Sequence, residues 1–477
     1  MPTPTVPAAG YRTLWRWHFY AGLFVMPFLL ILALTGSLYC FQPQIEPLLY
    51  PQQLLVTAQN TPPLSADTLL ASARTALPSD AVPVSAAINT APNRSTEFIF
   101  RVADGTRQSV YVNPYSGAVL GTLSVEQRLM QLVRMLHRKL LLGKPGELLM
   151  ELAACWTLVM LGTGIALWWP RAGTSVRAAL RPRFALKGRP LWKNLHAVMG
   201  IWLVLGALAF VLTGLPWSGS WGKQFKALAT SANLGAPAGA RGNPGLRSKQ
   251  PQGHAEHAGH AEHDEHAEHA GHANAMVLDD LPLPSTPWAA GNAPVPHSAA
   301  SQAQHPMPLA RAIKLIAALG VTSGYSIALP TTSDGVYAAS YFPADPKTER
   351  TIYLDQYSGA VLKDIRYGDY GVIAQAISYG TSLHLGRYFG LANQILCAVI
   401  SLGLAGMTLT GAVMWWKRKP SGISLGAPSR ERDAPPLRGW KTGLVLLGLV
   451  FPLMGVTLLA VWLVDRTLFR STKAAAT

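Results

Sequence analysis

The sequence carries two copies of one pattern of histidine, glycine and threonine, and this duplication constrains the fold more than any other feature. His18 and His196 each open an apolar segment, and a glycine follows each of them four residues later. A Thr-Gly pair then follows at 17 and 18 residues after each histidine. The residues at these matched positions are Gly22, Thr35 and Gly36 in the first copy and Gly200, Thr213 and Gly214 in the second.

A second pair of histidines, His137 and His384, shows the same duplication. A glycine follows each six residues later, a Thr-Gly pair begins 26 residues later and a Trp-Trp pair begins 31 residues later. Ionisable or ligating side chains in apolar helices are costly and are usually functional. Two pairs of imidazoles in one helical bundle therefore predict two haem b groups, each held by two histidines. The Thr-Gly pairs that follow this second set are Thr163, Gly164, Thr410 and Gly411.

The composition indicates a membrane protein. Of the 477 residues, 49% are hydrophobic and only 13% are charged, about half the charged share of a usual globular domain. Because a helix needs about 20 apolar residues to cross the hydrocarbon layer, we expect five spans in a membrane all-α helical bundle. Their ranges are 19–40, 148–169, 197–217, 391–416 and 443–464.

The distribution of basic residues predicts the orientation. Residues 171–193 hold seven Lys/Arg and no acid, and residues 417–441 hold seven Lys/Arg and two acids. An excess of Lys/Arg marks cytoplasmic loops, so both loops and the N-terminus are expected inside. Residues 42–136 and 218–383 are then expected outside. The net charge of +16 is thus explained by topology and does not indicate a nucleic-acid partner.

The duplication extends into the two outside loops. Residues 111–120 and 353–362 share a Tyr-Ser-Gly-Ala-Val-Leu ending, and each predicts a β-hairpin. Amphipathic helical stretches near 65–76 and 308–319, followed by strand-like runs, predict a small α+β module in each loop. The strand-like runs are 83–88, 96–103, 323–329 and 335–343.

These patterns divide the chain into segments, with a disordered insertion, 222–306, in the second copy only. The expected segments are span 1 (11–41), module 1 (62–125), an outer His segment with span 2 (130–170), a basic loop (171–193), span 3 (194–217), the insertion (222–306), module 2 (307–367), a second outer His segment with span 4 (377–416), a basic loop (417–441) and span 5 (442–465).

The chain resembles the PepSY-associated transmembrane family of bacterial inner-membrane proteins over most of residues 11–420. The residues that carry the resemblance are Trp15-Arg-Trp-His18 with Gly22, Leu136-His137-Arg138-Lys-Leu140, Thr163-Gly-Ile-Ala-Leu-Trp-Trp-Pro-Arg171, Leu195-His196 with Gly200, and the two Tyr-Ser-Gly hairpins. The resemblance implies a four-helix haem-binding core with two periplasmic PepSY modules. It also implies ferric-siderophore reduction in iron uptake. The fifth helix and the His-rich insertion lie outside that pattern.

Topology pairs the histidines by membrane side, His18 with His196 at the cytoplasmic end and His137 with His384 at the outer end. From the helical rise, the Thr-Gly pairs of spans 1 and 3 are expected near the outer pair, and those of spans 2 and 4 near the inner pair. The glycines are expected to clear space for a flat ring, with close helix packing as the alternative role. Basic residues expected to hold haem propionates are Arg12, Arg16 and Lys193 inside, and Arg134, Arg138 and Arg387 outside. For the inner set, the alternative role is to set the membrane topology.

Two alternatives to haem remain for the four histidines. They could be hydrogen-bonded core residues, or they could bind zinc, although two histidines at each depth leave a closed zinc site incomplete. The three cysteines, Cys40, Cys155 and Cys397, predict neither a disulfide framework nor a thiolate metal site.

A histidine tract lies within the insertion, with one imidazole at every third residue. Such a tract favours loose binding of a divalent metal such as Cu, Zn, Ni or Fe, and a solvated linker is the alternative. The tract consists of His254, His257, His260, His263, His266, His269 and His272.

Three functions fit the sequence. The first is a transmembrane reductase that takes electrons from a quinol or a cytoplasmic reductase and delivers them to a periplasmic Fe(III)-siderophore. The donor must be another molecule, since no Gly-rich phosphate motif of a flavin or nicotinamide domain follows a strand. The second changes the acceptor to Cu(II) or another periplasmic oxidant, and the third is a non-catalytic membrane scaffold that binds metal or peptide.

Overall fold

A computed structural model describes residues 10–170, 175–237, 276–298, 305–418 and 438–468. It divides into two compact units. The first, which we call the membrane unit, comprises Met1–Glu46, Arg128–Phe225 and Gly380–Thr477. The second, which we call the sheet unit, comprises Pro47–Gln127 and Lys226–Tyr379.

Four long apolar helices form the core of the membrane unit. At 26 to 30 residues each and a rise of about 1.5 Å per residue, they exceed the roughly 30 Å of the hydrocarbon layer. Each helix packs against two of the others, in the cyclic order α1, α6, α8, α12, so α1 and α8 occupy opposite corners of the bundle. The four helices are α1 (Tyr11–Cys40), α6 (Gly143–Trp168), α8 (Gly188–Gly214) and α12 (Leu391–Trp416).

Two short helices precede the second and fourth long helices and carry the outer histidines near their C-terminal ends. They are α5 (Leu129–Lys139) and α11 (Val372–His384). Each is separated from its long helix by a break, where the matched glycines Gly143 (φ 66°) and Gly390 (φ 56°) adopt left-handed backbone angles that disfavour other residues. The repeated glycine six residues after each outer histidine therefore marks the turn into a span.

The expected fifth span, 442–465, is wrong as a single helix. The segment forms two shorter helices, α13 (Arg438–Val450) and α14 (Pro452–Leu468), broken at Phe451. Pro452 has no backbone N–H to continue the helical ladder. Gly448 and Gly455 touch on the inside of the bend, because a Cβ on Gly448 would lie 3.1 Å from the Cα of Gly455. Among the described residues, only the four long helices are long and apolar enough to cross a membrane.

The sheet unit contains one antiparallel sheet of eight strands in the order β4-β3-β2-β1-β5-β6-β7-β8. Each loop supplies four consecutive strands and one helix, α4 (Ala66–Arg74) or α10 (Leu309–Ala318). The predicted hairpins and helices are confirmed. The strands are β1 (Val82–Ile88), β2 (Thr96–Arg101), β3 (Arg107–Val112), β4 (Val119–Ser124), β5 (Tyr325–Ala328), β6 (Val336–Tyr341), β7 (Arg350–Asp355) and β8 (Val361–Arg366).

The two α+β halves form one continuous sheet, whereas the sequence predicted a separate module in each loop. Strand β1 pairs with β5 over four residue pairs, from Ser85 with Ala328 to Ile88 with Tyr325. The Asp67 carboxylate of the first half accepts from the backbone N–H groups of Leu309 and Ala310 at the start of α10, at 2.8 and 3.2 Å. One hydrophobic core draws on both halves, and an edge strand that would otherwise be open is thereby paired.

The insertion predicted as disordered over 222–306 is ordered at both of its ends. Residues of α9 (Trp221–Ser231) are helical, and residues 276–298 include the fully buried Leu278 and the buried Trp288. The buried Lys226 amine donates to Asn292 Oδ1 at 3.1 Å and lies 5.5 Å from the centre of the Trp288 ring. The prediction of disorder rested on the Ala, Gly and Pro content of the insertion, and composition does not reveal such contacts. The described residues also form three short α-helices: α2 (Gln42–Leu49), α3 (Pro51–Leu54) and α7 (Val176–Ala179).

Candidate haem-binding site

The membrane unit brings the four duplicated histidines together as two pairs. His18 on α1 and His196 on α8 have ring centres 6.3 Å apart and ring planes at 83°. His137 and His384 have ring centres 6.4 Å apart and ring planes at 85°. These are the two pairs predicted from topology. Because α1 and α8 lie at opposite corners of the bundle, the first pair meets across its interior.

The spacing within each pair fits a metal held between two imidazoles. A metal–nitrogen bond of about 2.0 Å, with about 1.2 Å from each nitrogen to its ring centre, gives roughly 6.4 Å between ring centres. Both observed distances agree with this value. Burial lowers the pKa of His384 to about 4. The outer imidazole of His384 is therefore neutral at pH 7, which is the form that ligates a metal.

Each histidine forms the same hydrogen bond, from its Nδ1 to the hydroxyl of a threonine in a Thr-Gly pair. The bond joins two helices of the same repeat, with the inner histidines bonded to α6 and α12 and the outer ones to α1 and α8. The four bonds are His18 to Thr163 (3.0 Å), His196 to Thr410 (2.8 Å), His137 to Thr35 (2.9 Å) and His384 to Thr213 (2.8 Å).

The direction of these bonds follows from the second bond of each threonine. Every one of the four hydroxyls donates to a carbonyl of its own helix, so it has only lone pairs to offer the histidine. The histidine Nδ1 must then carry the proton, which leaves Nε2 unprotonated and able to bind a metal. The hydroxyl bonds are Thr35 to Ile31 O (2.5 Å), Thr163 to Val159 O (2.7 Å), Thr213 to Ala209 O (2.6 Å) and Thr410 to Met407 O (2.9 Å).

The glycine beside each threonine lies against the same histidine. A Cβ there would approach the imidazole Cε1 to 3.3 Å at Gly36 and Gly164, 3.6 Å at Gly214 and 3.7 Å at Gly411. The Thr-Gly pairs of α1 and α8 thus lie at the outer histidines and those of α6 and α12 at the inner ones, as the helical rise predicts. These glycines make room for the imidazole ring itself.

The other two predicted glycines differ from each other in their surroundings. A Cβ on Gly22 would meet nothing within 4 Å, whereas a Cβ on Gly200 would lie 3.2 Å from the Met407 methyl group. The open space at Gly22 fits clearance for a flat ring. The tight contact at Gly200 fits close packing of α8 against α12.

Several of the predicted propionate partners contact other groups of the protein. The buried Arg16 guanidinium donates to the Tyr20 hydroxyl at 2.9 Å. Arg138 donates to the carbonyl of Trp217 at 3.3 Å. The backbone N–H of Arg387 donates to the carbonyl of Ser382 at 2.9 Å, in the turn that follows α11. A role in holding propionates stays a prediction for all three.

The geometry gives no support to a zinc site. Within the described ranges, no group of three or more His, Cys, Asp or Glu side chains is placed to hold one ion. A structural zinc site requires four protein ligands and a catalytic one requires three. The histidine tract, residues 254–272, lies outside the described residues.

Sequence reasoning missed a pair of thiols beside the outer histidines. Cys40 at the end of α1 and Cys397 near the start of α12 are both buried, and both thiols donate to the same backbone carbonyl. The two Sγ atoms lie 3.8 and 3.9 Å from the carbonyl oxygen of His384. The cysteines do not occupy matching positions of the repeat, so the duplication could not reveal their proximity.

A model of one protein family matches most of the chain, whereas curated proteins give no significant match. The match covers residues 15–418 and therefore includes all four histidines, their threonine partners and both halves of the sheet. The model describes a PepSY-associated TM region. The chain belongs to this family, the PepSY-associated TM proteins.

Proposed function

We propose that the protein binds two haem b groups, one at each histidine pair, and carries electrons across the membrane. The observation that supports this most strongly is the geometry of the pairs. Both have ring centres at the spacing that two ligands of one metal require, and in both every Nδ1 is bonded to a threonine. Each bound haem supplies a one-electron redox centre, and a haem with two histidine ligands is suited to electron transfer.

The two sites lie at different depths of the same bundle. His18 and Thr35 belong to one helix, and 17 residues at about 1.5 Å each separate them by roughly 25 Å. Thr35 contacts the outer pair and His18 belongs to the inner pair. Electrons are therefore proposed to enter on the side of His18 and His196 and to leave on the side of His137 and His384.

A metal complex outside the membrane is the proposed acceptor, with Fe(III)-siderophore first because the family resemblance implies it. Reduction releases Fe(II), which siderophores hold less tightly, for import. A quinol in the bilayer or a cytoplasmic reductase is the proposed donor. The location follows as the bacterial inner membrane, with the N-terminus in the cytoplasm, which agrees with the basic loops.

A Cu(II) complex is the second candidate acceptor, favoured by the tract of seven histidines in the insertion. The third candidate, a scaffold without redox chemistry, predicts that the histidine pairs hold no haem. An optical difference spectrum, reduced minus oxidised, of haem-supplied and folded protein separates the third candidate from the first two. Stopped-flow reoxidation with ferric siderophores and with cupric salts separates those two.

The replacement of one outer ligand should remove one haem only. We expect His384→Ala to halve the haem content and abolish reduction of external metal complexes, while the inner haem remains reducible. His297→Ala is the matched control, since His297 is exposed and pairs with Asp334 at 3.0 Å in the sheet unit. Retention of two haems in His384→Ala would falsify the assignment of the outer pair.

A further inference from the structure

We propose that four threonines act as positioning residues that tune the electron-donor strength of the histidine ligands and thereby set the potential of each redox site. The inference rests on the proposed function, because it assumes that the histidine pairs hold haem. The threonines are Thr35, Thr163, Thr213 and Thr410.

The same bond occurs at both depths and in both repeats, which a chance packing contact would not produce. In every case the hydroxyl is oriented by a bond to its own helix and accepts from Nδ1–H. A hydrogen bond from Nδ1–H shifts electron density toward Nε2 and makes the imidazole a stronger donor. A stronger donor stabilises the ferric state, so each threonine should lower the potential of the haem beside it.

The four bonds are not equivalent, because His18 has a second acceptor. The carbonyl of Met160, three residues before Thr163, lies 3.2 Å from His18 Nδ1. Loss of the Thr163 hydroxyl would therefore leave the His18 Nδ1 proton this carbonyl as a partner.

His384 lies in different surroundings from His18. The matching residue on α8 is Phe210, and its ring lies 5.1 Å from the His384 ring, tilted by 54°. Within the part of the chain that the structure describes, the Thr213 hydroxyl is the one acceptor for His384 Nδ1. His384 should therefore depend on its threonine more than His18 does.

The test compares Thr213→Val with Thr163→Val in the full-length, haem-supplied protein by redox titration and electron paramagnetic resonance. Valine keeps the shape of threonine and removes the hydroxyl. We expect Thr213→Val to raise the potential of the outer haem, changing its Fe(II)/Fe(III) ratio at fixed solution potential about tenfold, or about 59 mV for one electron. Thr163→Val should shift the potential of the inner haem by a smaller amount. In each variant the potential of the other haem should keep its wild-type value. Thr213→Ser and Thr163→Ser should restore the wild-type values.

Two buried threonines of the same bundle provide matched controls. Thr157 on α6 and Thr408 on α12 donate only to carbonyls of their own helices, at 2.8 and 2.7 Å. Thr157→Val and Thr408→Val should therefore leave both potentials unchanged.

The possible results separate this inference from the proposed function. If both haems remain and Thr213→Val shifts neither potential more than Thr408→Val does, the tuning role is overturned and haem ligation stands. Should Thr213→Val lose the outer haem, restoration by Thr213→Ser supports the hydroxyl, and failure to restore it overturns the role. Folded wild-type protein without haem overturns both proposals.

Discussion

An imidazole that binds a metal through one ring nitrogen has a second nitrogen whose proton needs a partner. In a membrane bundle, water cannot supply that partner, and an unsatisfied polar group is costly. A threonine hydroxyl can be this hydrogen-bond partner, because it can donate to its own helix and still accept from the histidine. The Thr-Gly pair combines this acceptor with the small residue that admits the ring.

The contact between glycine and imidazole gives a prediction at the residue scale. Gly164 and Gly411 occupy the same position of the two repeats, but a Cβ would approach the imidazole to 3.3 Å at Gly164 and 3.7 Å at Gly411. Replacing glycine by alanine raises helix propensity equally at both sites. The difference in stability between the two variants therefore measures the contact of the added Cβ with the imidazole. We expect Gly164→Ala to be less stable than Gly411→Ala by about 1–3 kcal/mol, the cost of overpacking.

Thermal unfolding in detergent, followed together with haem content, measures this difference. Gly162→Ala serves as the control on α6, because a Cβ there would meet nothing within 4 Å. Equal stability of Gly164→Ala and Gly411→Ala would contradict the described position of the His18 ring.

At the residue scale, the sequence predicted which side chains lie near one another but not the hydrogen bonds between them. The duplication identified the histidines and the Thr-Gly pairs, and the helical rise placed each pair at the correct end of the bundle. The bond from Nδ1 to a threonine depends on the rotation of two helices about their axes, which spacing alone does not determine. The proximity of Cys40 and Cys397 likewise depends on packing between α1 and α12.

At the scale of elements, the clearest difference from expectation is the bend between α13 and α14. Hydropathy alone averages over Pro452 and predicts one span, whereas the missing N–H of proline ends the helical ladder there. Apolar helices of 13 and 17 residues are shorter than the usual span. The contact between Gly448 and Gly455 then allows the chain to close the bend.

The bend can be tested with a pair of glycine substitutions. A Cβ on Gly455 would lie 2.6 Å from the backbone oxygen of Gly448, which cannot move without changing the bend. We expect Gly455→Ala to lower the free energy of unfolding by about 1–3 kcal/mol. Gly443→Ala is the control, since its Cβ would enter open space and should stabilise α13 by about 0.5–1 kcal/mol. Chemical denaturation in detergent measures both, and a harmless Gly455→Ala would mean that α13 and α14 continue as one straight helix.

For the strands, local sequence patterns predicted the individual hairpins but not how the two halves pair to form one sheet. Alternation and the Tyr-Ser-Gly turns predicted both hairpins, and Gly117 and Gly359 adopt the positive φ (73° and 78°) that such turns require. The pairing of β1 with β5 joins residues more than 230 positions apart, and no local pattern encodes it.

At the scale of the whole molecule, the duplication organises both units. Each histidine pair takes one residue from each repeat, whereas every bond between histidine and threonine stays within a repeat. The sheet has the same arrangement, with four strands from each repeat that meet at β1 and β5.

The number of spans predicts a topology that can be measured directly. With four spans and a cytoplasmic N-terminus, both halves of the sheet unit should be outside and residues 175–187 inside. In a variant without native cysteines, Asp104→Cys and Lys314→Cys should react with an impermeant maleimide on intact spheroplasts. Arg181→Cys should react only after permeabilisation. The reverse pattern would contradict the proposed direction of electron flow.

The pairing of β1 with β5 also bears on the origin of the chain. A polypeptide with a single repeat would have an open strand at the edge of its sheet and only one histidine of each pair. Two identical copies related by a twofold axis would pair the strand and complete both histidine pairs at once. A homodimer of this kind, later fused by gene duplication, would account for the histidine pairs shared between the repeats and for the central pairing of the strands. Fusion would also allow the two copies to diverge, and the histidine-rich insertion, present in the second copy alone, is a difference of this kind.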